Sequence, residues 1–150
     1  MTTPNKNNLV VGFDGSPSSV EALRWALNEA NERNFRVEII YSWSLPGSLY
    51  PFPIAIPDSE DLYNQAKEFI EQLVKEETKG FSSVEVTLRI VEGAAGSELV
   101  EHSKDSTGLV VGAKNHDTLS RLLIGSVSHY VIAHAECPVT IVKQIKQRKE

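Results

Sequence analysis

The sequence has little cysteine and few aromatic residues, and it contains no long apolar run. Cys137 is the only cysteine among 150 residues, so no disulfide can form within the chain and a zinc cluster is not expected. No apolar run approaches the ~20 residues that a bilayer-spanning helix requires. Residues 1–8 are polar and lack the apolar segment of a secretory signal. These absences predict a cytoplasmic protein with no membrane association.

Common catalytic signatures are absent as well. The chain contains no GxxxxGK[ST] phosphate loop, no GxGxxG dinucleotide fingerprint, no GxSxG nucleophile elbow and no HExxH zinc motif. His129 and His134 are five residues apart, whereas a helical metal pair is spaced four apart. No combination of nucleophile, base and oxyanion donors is evident. The sequence therefore predicts a protein without catalytic residues and without a tightly bound metal.

Composition and charge indicate a globular, acidic protein. Hydrophobic residues make up 41% and charged residues 23% of the chain, as is typical of soluble domains. The length fits one domain, which we place over the whole chain with a core at about 8–143 between two short polar tails. The net charge of −5 argues against nucleic acid as a partner. The basic residues at the C-terminus are either a small docking patch or a solvated tail.

Strand-like apolar runs alternate with segments of helical spacing. The predicted strands are 9–13, 37–43, 84–90, 109–112 and 138–142. Ser18 and Glu21 have the spacing of a capping box and are predicted to begin the first helix. The second helix is predicted to end at Lys79-Gly80 and to bury one apolar face, made of Leu62, Ala66, Phe69, Ile70 and Leu73. Residues 44–58 and 113–124 are predicted loops.

This alternation predicts an α/β fold of the Rossmann-like type. It consists of a single doubly wound, five-stranded parallel sheet with helices on both faces. Strands 1 and 4 are wholly apolar and should be central, whereas strand 3 alternates apolar and polar residues and should lie at an edge. With right-handed crossovers, the order 3-2-1-4-5 satisfies these constraints.

Ligands of such sheets bind beyond the carboxyl ends of the strands, where the strand order reverses. In the order 3-2-1-4-5 this point lies between strands 1 and 4, which are followed by Asp14 and by Gly112. Gly125 would let a ligand approach the backbone that opens the last helix. The free N–H groups of that helix, together with the Ser126 and Ser128 hydroxyls, are predicted to form an anion cradle suited to phosphate.

Four stretches of the chain resemble the universal stress protein family, and the resemblance covers roughly residues 8–143. They are residues 10–16, residues 110–112, residues 122–128 and the Cys137-Pro138-Val139 entry to the last strand. Nucleotide-binding members carry Gly, two residues, Gly, nine residues, and then Gly-Ser or Gly-Thr. Gly112 and Gly125-Ser126 match this pattern, whereas Asn115 stands at the second glycine.

The resemblance implies an adenine nucleotide, ATP or AMP, with Mg²⁺ as an accompanying ion and at most very weak hydrolysis. The nucleotide-binding residues that it implies are Gly12, Asp14, Ser42, Gly112, Lys114, Asn115, Gly125, Ser126, Val127 and Ser128. Asp14 would lie beside the base and ribose, the Ser42 backbone would face adenine, and Gly112 would back the ribose. The residues from Gly125 to Ser128 would hold the phosphates.

Asn115 leaves two interpretations open. Asparagine adopts positive φ more readily than most residues, so it could replace a glycine that serves only the turn. If the glycine instead allows close approach of a phosphate, the Asn115 side chain would obstruct binding. Asp117 would repel a triphosphate, which Lys114, His116 or Arg121 could offset.

The sequence favours two functions. One is a nucleotide-binding regulator of the stress response, and the other is a member of the same family that has lost nucleotide and acts as a dimeric interaction module. A third, less favoured function is a small hydrolase that uses Asp14. Asp14 either contacts a ligand or only caps the turn after strand 1. In both favoured functions, the exposed apolar edge Val139–Val142 is expected to be covered. The resemblance implies that it pairs antiparallel with a second copy across a twofold axis.

Overall fold

The computed structural model describes residues 7–44, 59–113 and 124–144. Within these residues, strands and helices alternate along the chain. The elements are β1 (Asn8–Gly12), α1 (Pro17–Arg33), β2 (Arg36–Trp43), α2 (Ser59–Thr78), β3 (Val86–Glu92), α3 (Ala95–Ser103), β4 (Gly108–Gly112), α4 (Ser126–His134) and β5 (Val139–Val142). Most of the two predicted loops, and the basic residues beyond 144, lie outside the described part of the chain.

The strands form one parallel sheet in the order β3-β2-β1-β4-β5. This confirms the predicted α/β class and strand order. The central strands β1 and β4 are buried along most of their length. Strand β3 lies at an edge, with Thr87 and Arg89 exposed between partly buried neighbours, as the alternating pattern predicted.

Apolar side chains fill the space on both faces of the sheet. Successive residues of a strand point to opposite faces, so Val11 joins the core under α1 and α2 while Val10 joins the core under α3 and α4. None of the helices in the described stretches is long and apolar enough to cross a membrane.

Helix α1 begins two residues earlier than the capping-box pattern predicted, and that prediction is wrong. The N-cap is Ser16, whose hydroxyl oxygen accepts a hydrogen bond from the Ser19 N–H at 3.3 Å. Ser18 lies inside the first turn and is buried. Pro17 occupies the first helical position, where its fixed φ suits the helix and its missing N–H costs nothing.

Helix α2 buries a narrower face than the sequence predicted. Ile70 and Val74, one turn apart, are buried, whereas Phe69 is 58% exposed and Leu62 is 40% exposed. Phe69 precedes Ile70 by one residue, which rotates it by about 100° around the helix axis. The helix lies over α1 and the edge strand β3, so only its central apolar stripe meets the core.

Candidate functional site

A cleft opens at the carboxyl edge of the sheet between β1 and β4, where the strand order reverses. Its empty space is about 580 Å³, including the part open to solvent. The described residues that line it are Gly12, Phe13, Asp14, Ser16, Ser18, Ser19, Ile40, Ser42, Ala95, Leu99, Val111, Gly112, Gly125, Val127 and Ser128.

The structure brings most of the predicted site residues into this one cleft. The predicted residues among its lining are Gly12, Asp14, Ser42, Gly112, Gly125, Val127 and Ser128. Ser126 begins α4 but is not part of the lining. Lys114 and Asn115 lie outside the described residues, as do His116 and Arg121. Segments more than a hundred residues apart in the chain thus meet at one place.

The turn from β1 to α1 is organised by Asp14. One Asp14 carboxylate oxygen accepts a hydrogen bond from the Ser16 N–H at 2.9 Å, and the Asp14 N–H donates to the Ser19 hydroxyl oxygen at 3.3 Å. Between them, Gly15 has a φ of 83°, a conformation that glycine adopts without strain. Asp14 therefore stabilises the turn, and its exposed carboxylate also borders the cleft.

At the start of α4, the N-cap residue has no side chain that could cap the backbone donors. Gly125 is the N-cap, and the first intrahelical bond runs from the His129 N–H to the Gly125 carbonyl oxygen at 3.0 Å. The preceding N–H groups, in residues 126–128, have no intrahelical acceptor because of their position in the first turn. Such a helix start is suited to an anion.

The Ser128 hydroxyl, which the sequence predicted to be part of an anion cradle, makes a hydrogen bond within the protein. It is buried and donates to the Gly112 carbonyl oxygen at 3.1 Å. Its proton is thus directed to the end of β4.

Two other helices also begin at the cleft, but their first turns are less suited to an anion. In α1, the Ser16 side chain already accepts from the Ser19 N–H. In α3, the first turn contains Glu98, whose negative charge opposes an anion there. The first turn of α4 contains no acidic residue. Among these three helix starts, α4 is therefore the most favourable place for a phosphate.

Asp14 carries the only formal charge among the described residues that line the cleft. Burial raises the pKa of the nearby Tyr41 phenol, and the Asp14 carboxylate raises it further, so Tyr41 is neutral at physiological pH. Among the described residues that line the cleft, the groups that can donate to an anion are therefore backbone N–H groups and hydroxyls.

The apolar wall of the cleft was missed by sequence reasoning. Ile40 and Leu99 are buried residues of β2 and α3, and Val111 precedes Gly112 in β4. Ile40 lies two positions before Ser42 in the same strand, so strand alternation could have placed it on the same face. The contribution of Leu99 depends on the packing of α3 and has no comparable signal in the sequence.

The Ser42 hydroxyl joins the end of β2 to the turn that precedes α3. It donates to the Gly93 carbonyl oxygen at 2.6 Å. Gly93 has a φ of 149°, and a Cβ at this position would lie 2.6 Å from a Glu98 carboxylate oxygen. This turn brings Ala95, the first residue of α3, to the cleft.

The glycines that end β1 and β4 allow close packing behind the cleft. A Cβ on Gly112 would lie 2.4 Å from the Ser18 carbonyl oxygen, and a Cβ on Gly12 would lie 2.8 Å from a Leu99 methyl carbon. Helix α1 can approach β4 this closely only because residue 112 lacks a side chain. No group of three His, Cys, Asp or Glu residues in the described part of the chain could hold a metal ion.

A parallel sheet of order 3-2-1-4-5 with a cleft at its switch point defines an α/β protein of the Rossmann-like class. The sequence profile of the universal stress protein family matches residues 6–143. The chain therefore belongs to the universal stress protein family.

Curated relatives agree with this assignment. A universal stress protein of Methanocaldococcus jannaschii is 31% identical over 147 residues, covering 93% of this chain and 83% of the relative. A universal stress protein of Mycobacterium tuberculosis is 30% identical over 142 residues, covering 89% of this chain but 46% of the relative. The chain thus spans most of the first protein and about half of the second.

Solved structures of the family share the fold. The universal stress protein UspA of Lactobacillus plantarum has a TM-score of 0.77 at 20% identity and covers 94% of this chain and 99% of its own. A universal stress protein in complex with cAMP has a TM-score of 0.68 at 24% identity, and the match covers 91% of this chain and 96% of that protein. The universal stress protein of Archaeoglobus fulgidus in complex with dAMP has a TM-score of 0.64 at 23% identity, and the match covers 93% of this chain and 98% of that protein.

Proposed function

We propose that this universal stress protein binds an adenosine phosphate, AMP or ATP, in the cleft between β1 and β4. The observation that carries the proposal is the convergence of the Asp14 turn and the start of α4 at Gly125 on one cleft. The two sides of the cleft differ in chemistry. The Asp14 carboxylate can accept hydrogen bonds from ribose hydroxyls, and the N–H groups at the start of α4 can donate to a phosphate. Two proteins of the same fold were solved with cAMP and dAMP, which supports this ligand class.

In this proposal, the adenine base packs against the apolar wall of the cleft. Ile40, Leu99 and Val111 offer a surface on which the flat face of adenine can pack, between the two polar ends of the cleft. Mg²⁺ would accompany ATP rather than occupy a protein site of its own.

We further propose that the protein is a cytoplasmic, single-domain regulator of the stress response rather than an enzyme. Ligand binding would change the surface that the carboxyl edge of the sheet offers to partner proteins. A ligand can shift the balance between two surface conformations only through its higher affinity for one of them. The β5 edge would pair with a second copy, which gives a homodimer.

The binding proposal is tested by calorimetric titration of the protein with AMP and ATP. Asp14→Asn should weaken AMP binding roughly tenfold because it removes the charge that strengthens hydrogen bonds from the ribose. The asparagine keeps a side-chain oxygen for the Ser16 N–H, so the turn should persist. Asp61→Asn, on α2 and outside the cleft lining, is the matched control and should leave affinity unchanged.

The second candidate function is a dimeric interaction module without nucleotide. The Asn115 substitution in the family's glycine pattern favours it. Absence of heat release with either nucleotide, together with no rise in melting temperature at millimolar AMP or ATP, would support this alternative and contradict nucleotide binding.

A further inference from the structure

The buried Ser128 hydroxyl attaches the first turn of α4 to the end of β4. Ser128 is 2% exposed, and its Oγ donates to the Gly112 carbonyl oxygen at 3.1 Å across 16 residues of sequence. This is a tertiary contact between two elements, because Gly112 ends β4 and Ser128 lies in the first turn of α4.

Gly112, which accepts the Ser128 hydrogen bond, also packs against helix α1. Its missing Cβ would lie 2.4 Å from the Ser18 carbonyl oxygen and 2.5 Å from the Ser18 Oγ, so its backbone packs directly on the first turn of α1. It is also held in the sheet by its pairing with Val142. Ser128 therefore fastens the start of α4 to a point that the rest of the fold fixes.

We propose that Ser128 is a positioning residue for the anion end of the cleft and not a phosphate contact. Its bond to Gly112 sets the direction of the open N–H groups in the first turn of α4. The inference deepens the proposed function, on which its affinity test rests. It predicts that the hydroxyl affects the phosphate-bearing ligand more than the nucleoside, because only the phosphate needs those N–H groups.

The affinity test compares AMP with adenosine by calorimetry. Ser128→Ala should weaken AMP binding roughly tenfold, the effect of losing one buried hydrogen bond, and should leave adenosine binding nearly unchanged. Ser128→Thr keeps the hydroxyl and should restore much of the AMP affinity. Ser103→Ala is the matched control: its buried hydroxyl donates to the Val100 carbonyl oxygen at 3.3 Å in α3, away from the cleft lining. The control should lower stability without changing either affinity.

A second measurement distinguishes positioning from direct contact. Amide chemical shifts of residues 125–129 are compared between the wild type and Ser128→Ala without ligand. If Ser128 positions the helix start, these signals differ between the two proteins. Hydrogen exchange at the His129 amide, which makes the first hydrogen bond of the helix to Gly125, is then faster in Ser128→Ala.

Three results would overturn the inference: unchanged AMP affinity in Ser128→Ala, equal losses for AMP and adenosine, or unaltered amide signals without ligand. A wild type that binds neither AMP nor ATP would overturn the proposed function instead. The amide comparison would then decide the positioning role by itself, because it needs no nucleotide.

Discussion

At the scale of single residues, Gly112 shows how packing and ligand binding can require the same side chain to be absent. The family resemblance implies that this glycine backs a ribose. The structure adds a second requirement, since the first turn of α1 occupies the space where a Cβ would stand. The close contact involves backbone atoms of Ser18, which cannot rotate away as a flexible side chain could.

We expect Gly112→Ala to destabilise the protein by about 1–3 kcal/mol, the usual cost of overpacking a tight site. Urea unfolding followed by circular dichroism measures this change. Gly80→Ala is the control, because nothing lies within 4 Å of a Cβ at Gly80. Equal stability of Gly112→Ala and the wild type would show that α1 and β4 are less closely packed than the structure indicates.

At the scale of elements, the beginning of α1 is determined by Ser16 and Pro17 rather than by the Ser18–Glu21 pattern. Both serines precede a helical apolar pattern, so spacing alone does not separate them. The proline decides, because it favours the first helical position and therefore makes the preceding residue the N-cap. Ser18 is then drawn into the contact with β4.

Loss of this cap should be measurable. We expect Ser16→Ala to cost about 1 kcal/mol of unfolding free energy, because the Ser19 N–H loses its side-chain acceptor. Ser16→Asn supplies another capping oxygen and should retain most of the stability. Thermal unfolding of the two variants provides the comparison, and an alanine variant as stable as the asparagine one would argue against Ser16 as the cap.

Helix α2 provides a second test at this scale. Ile70 is buried whereas Phe69 is 58% exposed, although the sequence placed both on the same apolar face. We expect Ile70→Ala to cost about 2–5 kcal/mol. Phe69→Ala should cost less than half of the ~3–5 kcal/mol that truncation of a buried phenylalanine costs. Chemical denaturation of both variants checks the order, and a larger loss for Phe69→Ala would contradict the orientation of α2.

At the scale of the whole molecule, the two edges of the sheet differ. The edge strand β3 exposes the charged residues Arg89 and Glu92, and charge on an edge discourages pairing with another chain. Strand β5 consists of Val139-Thr140-Ile141-Val142, all partly exposed. The Leu109 and Ala113 N–H groups donate to the carbonyl oxygens of Pro138 and Val142, each at 2.9 Å. The intervening Val139 and Ile141 therefore direct their N–H and C=O groups to the open edge.

We expect the wild type to sediment as a dimer at micromolar concentration and Ile141→Pro to sediment as a monomer. Proline removes an outward N–H group without removing a bond to β4. Ile141→Ala loses the same side chain, keeps the N–H group and should remain dimeric. Circular dichroism establishes that both variants fold. A monomeric wild type, or a dimeric proline variant, would contradict pairing through β5.

The sequence by itself determined the order of the elements, the strand order of the sheet and the family. These follow from local signals: apolar periodicity, the alternation in strand 3, and glycine motifs whose spacing is readable in one dimension. It also placed Asp14 and Gly125 at the switch point, because the carboxyl ends of parallel strands share one edge.

Only the tertiary structure decided how the groups at that edge are packed and hydrogen-bonded. The Ser128 hydroxyl donates to the Gly112 carbonyl oxygen, and Gly112 packs against Ser18, which is distant in the chain. The exposure of Phe69 depends in the same way on where α2 rests against its neighbours. Such contacts depend on how separate elements pack against each other. The periodicity of a single segment carries no information about that packing.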